Sequence, residues 1–104
     1  MSDHRRIVLT ADALSDLEGI AVYMRQYSPQ NAANVAETIL NAIDSLGLMS
    51  NRFKQVGISR KRRAAVRAMV VRPFIVYYRV DEIGPSVYVL NIRHGSRRQP
   101  RHFA

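Results

Sequence analysis

The order of periodicities along this chain predicts an α+β fold: a strand, an antiparallel helical hairpin, then a three-stranded antiparallel meander, with the hairpin packed on one face of the sheet. Three observations carry that expectation. Apolar residues recur at three- and four-residue spacing from Leu14 to Leu46, the repeat then changes to alternation, and the connections in the second half are short. The 104 residues are read as one domain, 1–104, ending in a basic tail over 95–104.

Arg6 to Thr10 reads as the first strand. Thr10 or Asp12 can cap a helix, because a side-chain oxygen there accepts an amide hydrogen that has no partner within the helix. Leu14, Leu17, Ile20, Ala21 and Met24 then form one apolar stripe, with Asp12, Asp16 and Glu18 at the end of the helix that favours negative charge. The stripe stops at Tyr27-Ser28-Pro29, where Ser28 can cap a second helix and Pro29 can occupy its first position at no cost in hydrogen bonds. Ala32, Ala36, Ile39, Leu40, Ile43 and Leu46 repeat with helical period up to Gly47. A joint of about three residues makes the two helices antiparallel neighbours.

From Met49 to Arg63 the pattern dissolves, and the segment reads as a loop. Ala64 to Val71, Phe74 to Val80 and Ser86 to His94 are β-branched, aromatic and alternating, so they read as strands. Arg72-Pro73 marks one tight turn and Glu82 to Pro85 the other, which makes the three strands consecutive antiparallel neighbours. In the last strand, apolar Leu90 and Ile92 alternate with Asn91 and Arg93.

The middle strand of the meander has two apolar faces. Phe74, Val76, Tyr78 and Val80 point one way, towards the helices, while Ile75, Tyr77 and Arg79 point the other. A solvated sheet face is ordinarily polar, so something covers this second face: the loop, the tail or a partner chain.

Charge is unevenly distributed. The net charge is +8, yet residues 1–44 carry six acids against Arg5, Arg6 and Arg25. Residues 45–104 carry thirteen basic residues against Asp81 and Glu82, and of the sixteen Lys and Arg all but Lys54 and Lys61 are arginine. Arginine presents a planar two-pronged fork to phosphates and carboxylates, so the bias points to an anionic partner. The tail after Gly95 concentrates it in Arg97, Arg98 and Arg101, close behind Arg93, and Arg60-Lys61-Arg62-Arg63 forms a second basic run. No apolar run approaches the ~20 residues that span a bilayer, and the first residues lack a secretory pattern. With no cysteine, thiolate metal sites and disulfides are excluded, and a cytoplasmic location is expected.

The stretch "VRAMVVRPFIVYYRVDEIGPSVYVLNIRHGSRRQP" resembles the C-terminal half of the ParE toxins, within the wider ParE/RelE superfamily. "IVLTADALSDLEGIAVYM" is similar to the family's first strand and helix, and the strand ending "IRHGSRR" resembles its terminal His-Gly-x-Arg signature. The resemblance covers about nine-tenths of the chain and implies the toxin of a type II toxin–antitoxin pair, a plasmid or chromosome stabilisation device that inhibits growth. It implies a cognate ParD-like antitoxin whose acidic C-terminal segment wraps the toxin in a hetero-oligomer. It also implies one of two targets: DNA gyrase, through its A subunit, for ParE-type toxins, or ribosome-bound mRNA for the RelE-type endonucleases.

RNA cleavage needs a base, an acid and cations around the developing phosphorane. His94 is the best-placed imidazole, because His4 and His102 sit near the ends of the chain. The nucleases of the superfamily carry an arginine early in the central strand, and the corresponding position here is Ile75. Neither Glu37 nor Glu82 pairs evidently with His94, and no His/Asp/Glu cluster has metal-ligand spacing, so neither a metal nor another cofactor is expected. The sequence therefore favours a gyrase-binding toxin over an enzyme, with the mRNA endonuclease using His94 as the alternative. Arg93, His94, Arg97 and Arg98 are the expected target-binding residues, and Ile75, Tyr77, Arg79, Leu14 and Leu17 the expected antitoxin-binding residues.

Overall fold

The computed structural model describes residues 5–48, 50–59, 62, 64–81, 84, 86–96, 99–100 and 103. Its elements follow the order β1 (Arg6–Leu9), α1 (Ala11–Arg25), α2 (Pro29–Ser45), β2 (Lys54–Ser59), β3 (Ala64–Val71), β4 (Phe74–Val80) and β5 (Ser86–His94). The five strands form one mixed sheet in the order β1-β5-β4-β3-β2. β1 runs parallel to β5, and the other neighbours are antiparallel. The α+β class, the helical hairpin and the meander are all present. The loop expected over residues 49–63 is corrected by β2, an edge strand paired with β3.

Both helices begin where a side chain caps them. Thr10 accepts from the Ala13 N–H at 3.2 Å, so Thr10 rather than Asp12 is the cap of α1. Ser28 accepts from the Asn31 N–H at 3.2 Å, with Pro29 in the first turn of α2. The rotation of α1 differs from the expected stripe, because Ala13 is fully buried while Leu14 is 45% exposed. Polar anchors explain the difference. The Thr10 hydroxyl donates to the Val89 carbonyl at 2.8 Å, and the Asp16 carboxylate accepts the Ile92 N–H at 2.9 Å. Thr10, Ala13 and Asp16 follow at three-residue spacing on one helix face, so the two bonds turn Ala13 onto the sheet. Leu40 of α2 is likewise 42% exposed.

The main core lies between the hairpin and one sheet face. Ala13, Ile39, Ile43 and Leu46 meet Phe74, Val76, Tyr78, Val80, Val87, Val89 and Ile92 there. The second face has a smaller core of Val66, Tyr77, Leu90 and Phe103, with Val56, Ala68, Ile75 and Tyr88 packed against it. The chain's own Phe103 thus covers much of the face that the sequence left open to loop, tail or partner.

Two bulges shape the sheet. Gln55 pairs with Arg67 and Gly57 with Val66, which leaves Val56 as an extra residue on edge strand β2. Tyr77 pairs with Asn91 and Tyr78 with Val89, which leaves Leu90 extra on β5. That second bulge reverses the alternation expected for β5. Leu90 packs on the second face and Ile92 in the main core.

Candidate functional site

Because the bulge at Leu90 inverts the parity of β5, Arg93 pairs with Ile75 and shares the second face with it. His94 pairs with Phe74, the core residue on the opposite face, and meets its ring edge-on at 5.7 Å between centroids. The two residues expected to act together therefore stand at one end of the sheet but on opposite faces. His94 is exposed, and its Nδ1 accepts the backbone N–H of Ser96 at 3.1 Å. A backbone N–H can only donate, so in this arrangement the imidazole proton sits on Nε2. The Ser96 hydroxyl lies 2.8 Å from the same nitrogen.

The end of the sheet holding Arg93 is cationic across its width. β3 and β4 turn there through Arg72-Pro73, and the Pro73 carbonyl accepts the Gly95 N–H at 2.7 Å. β2 begins at the same end, where Lys54 pairs with Ala68 and so points to the second face. Arg52 lies over the Phe53 ring at 4.5 Å, and Arg67 donates to the Phe53 carbonyl at 2.7 Å. Between Lys54 and Arg93 the second face presents Val70, 61% exposed, and half-buried Ile75. An apolar strip between two cations results.

Farther along, the second face closes. Tyr77 is 3% exposed, with its ring centroid 5.5 Å from that of Phe103. Burial raises the Tyr77 phenol above its ordinary value, and the charge of Arg93 partly opposes that rise. Arg79 is 8% exposed and lies over the ring of its cross-strand partner Tyr88 at 4.2 Å. Burial first and Arg62 second lower its guanidinium below the usual value. The expected open face is therefore found at Val70 and Ile75 and not at Tyr77 or Arg79. On the hairpin, Leu14 is exposed while Leu17 packs half-buried against the main core.

Arg97, Arg98, Arg101, His4, His102, Glu82 and three members of the second basic run, Arg60, Lys61 and Arg63, lie outside the described residues. Sequence reasoning missed Lys54, Gly57 and Phe103. A lone aromatic in an otherwise basic tail, and a glycine between Val56 and Ile58, were the available signals. Among the described residues no group of three His, Asp or Glu side chains could hold a metal ion, and no helix is long and apolar enough to cross a membrane.

Comparison with known families places the chain. The family model of the ParE toxin of type II toxin–antitoxin systems, parDE, matches residues 7–99. The chain belongs to the ParE toxin family. Toxin RelE2 of Caulobacter vibrioides is 35% identical over 94 residues, covering 88% of this chain and 97% of the relative. Among solved structures, the chromosomal ParDE system of P. aeruginosa superposes with a TM-score of 0.67 at 25% identity, covering 89% of this chain and 98% of the other. The RelBE2 toxin–antitoxin complex of Mycobacterium tuberculosis shares the fold, with a TM-score of 0.58 at 22% identity over 88% and 98% of the two chains. This ParE-family chain is a type II toxin of the ParE/RelE superfamily.

Proposed function

We propose that this toxin inhibits growth by binding DNA gyrase, through its A subunit, and that a cognate ParD-like antitoxin holds it inactive in a hetero-oligomer. One observation carries the reading: at the cationic end of the sheet Arg93 and Lys54 share the second face, and among the described residues no acid–base pair lies beside them. Of the described acids, Asp12, Asp16, Glu18, Glu37 and Asp44 lie on the helices, and Asp81 follows the far end of β4. Asp16 is bonded to Ile92, and the Nδ1 of His94 is engaged by Ser96 on the face away from Arg93. Such a surface can grip phosphates or carboxylates but offers no evident route for moving protons. Arg97 and Arg98, which follow in sequence, are proposed as further target-binding residues.

The antitoxin reading gains a constraint from charge. The hairpin carries five acids against Arg25 alone, so an acidic segment suits the sheet side, beside Ile75, Arg93 and Lys54. Only an apolar, weakly charged stretch suits exposed Leu14 and Leu40. Each lies eleven residues from the joint between the helices, so they stand level on the antiparallel pair.

The endonuclease alternative, with His94 as the base, draws on Arg93 and Lys54 sharing one face, where two cations could bear on a phosphate. A direct comparison decides. Purified toxin is added to gyrase with supercoiled DNA, and separately to ribosomes holding mRNA. Gyrase inhibition with intact mRNA is the expected result. Codon-specific cuts with gyrase unaffected would reverse the assignment.

A further inference from the structure

The bulge that sends Arg93 to the second face is held from the side by helix α1. β1 stops pairing at Leu9 and Val89, and Leu90 is the extra residue immediately beyond. Along that stretch two residues of the helix and its cap take the place of a neighbouring strand. The Thr10 N–H donates to the Val89 carbonyl at 3.1 Å. The Thr10 hydroxyl stands 2.8 Å from the Val89 carbonyl and 3.2 Å from that of Leu90, within donating distance of both. Past the bulge, the Asp16 carboxylate accepts the Ile92 N–H at 2.9 Å, and the Asn91 amide lies 3.4 Å from the same oxygen. Thr10 and Asp16 thus grip β5 on either side of Leu90.

We infer that Asp16, assisted by Thr10, is a positioning residue for target binding: it locks the β5 bulge at Leu90 and so keeps Arg93 on the second face. The inference rests on the target-binding reading above. Register makes the case. An extra residue can be absorbed at more than one point along a strand, and each residue that the bulge passes changes face. With the bulge moved past Arg93, Ile92 would stand opposite Ile75, and Arg93 opposite Phe74 on the helix side. Successive N–H groups of a strand point to opposite edges. In the present register the Ile92 N–H points outward to Asp16 and that of Arg93 inward to β4. One residue of slip turns the Ile92 N–H towards β4 and away from the carboxylate. The bond to Asp16 therefore exists in one register only, which is what a register lock requires. The alternation of Leu90, Asn91, Ile92 and Arg93 does not itself call for a bulge, and the helix supplies the preference.

The test uses the full chain and two independent readouts. The nuclear Overhauser cross-peak between the His94 and Phe74 rings, whose centroids are 5.7 Å apart, reports register without reference to any target. Gyrase inhibition, measured where melting curves show every variant folded, reports whether register matters. Asp16→Ala should weaken the cross-peak and raise the toxin concentration for half-inhibition on the order of tenfold, because a displaced contact group forfeits much of its effect. Asp16→Asn keeps an acceptor oxygen and should recover most of both. Thr10→Val keeps the side-chain shape and removes the hydroxyl, so it should shift both readouts in the same direction by less, while Thr10→Ser should recover them. Where Asp16→Ala does not fold, Thr10→Val decides alone. A cross-peak unchanged in every folded variant would overturn the lock. A weakened cross-peak with unchanged inhibition would overturn the positioning role. Equal loss in Asp16→Asn and Asp16→Ala would assign the effect to charge and overturn the register argument. Wild-type protein inert towards gyrase would overturn the target reading, and the cross-peak comparison would still decide the lock separately.

Discussion

Leu90 and Ile92, two residues apart on one strand, are buried on opposite faces of the sheet, Leu90 beside Tyr77 and Ile92 beneath the helices. Regular alternation would place them together, and the bulge between the Tyr77 and Tyr78 pairs separates them. The same step delivers Arg93 to the second face and His94 to the other. A single inserted residue thus decides which face receives the cation.

Leu90→Ala should therefore cost as much as a core truncation, about 2–5 kcal/mol, and Ile92→Ala should cost a similar amount. Urea unfolding of the two variants measures this. A loss below about 0.5 kcal/mol for Leu90→Ala would mark a solvated position and remove the second core.

β1 ends its pairing at Leu9 and Val89, and beyond it a helix side chain takes over the edge of β5. The Asp16 carboxylate accepts the Ile92 N–H at 2.9 Å and lies 3.4 Å from the Asn91 amide. Asp16→Ala leaves that part-buried N–H without its acceptor, and the expected loss is about 1–3 kcal/mol. Asp16→Asn retains an acceptor oxygen and should lose less. Amide exchange at Ile92 should accelerate in the alanine variant, and unchanged exchange would show that the carboxylate does not protect this edge.

The parts of the fold set by local chemistry were legible in the sequence. Ser28-Pro29 opens α2, Arg72-Pro73 turns β3 into β4, and the change from helical to alternating period separates hairpin from meander. What escaped was set by partners distant in sequence. β2 reads "KQVGIS", an edge strand with a glycine and a bulge, so it lacks the alternation that two buried neighbours impose. Ala13 faces the sheet in place of Leu14 because Thr10 and Asp16 bond to β5, which apolar periodicity cannot foresee. At the site, the cationic character of the sheet's end and the division of adjacent Arg93 and His94 between faces were legible, whereas the face each one takes was hidden in the bulge at Leu90.

Tyr77 gives the fold a sensitivity to alkali. Burial raises its phenol above the ordinary 10.0, with Arg93 opposing, and burial likewise raises Tyr78. The folded state therefore holds these protons to higher pH than the unfolded chain does. Their contribution is complete below pH 10.0, begins to fall as the unfolded phenols ionise, and is gone above the folded values. Tyr77→Phe keeps the ring against Phe103, so its stability should fall less steeply than wild type as pH rises above about 10. Parallel declines in melting temperature would show that Tyr77 does not contribute.

Arg93 and His94 make the sharpest functional contrast, because neighbouring residues on opposite faces should behave differently when replaced. Arg93 stands on the second face beside Ile75, and its charge reaches Tyr77. Arg93→Ala removes a fork that can bind a phosphate or carboxylate of the target, worth on the order of 1.5–3 kcal/mol, or roughly 10- to 150-fold in affinity. Arg93→Lys keeps the charge and most of the stem but loses the fork, so it should recover the melting temperature more fully than the inhibition. His94→Ala removes an exposed imidazole that meets Phe74 and Ser96, and it should leave growth inhibition nearly intact. The two single variants and the lysine exchange, scored together for growth inhibition, gyrase activity and thermal unfolding, separate the faces. Full toxicity of Arg93→Ala at equal expression would remove the second face from target binding. Loss of toxicity in His94→Ala, together with loss of codon-specific mRNA cuts, would instead make His94 the base of an endonuclease.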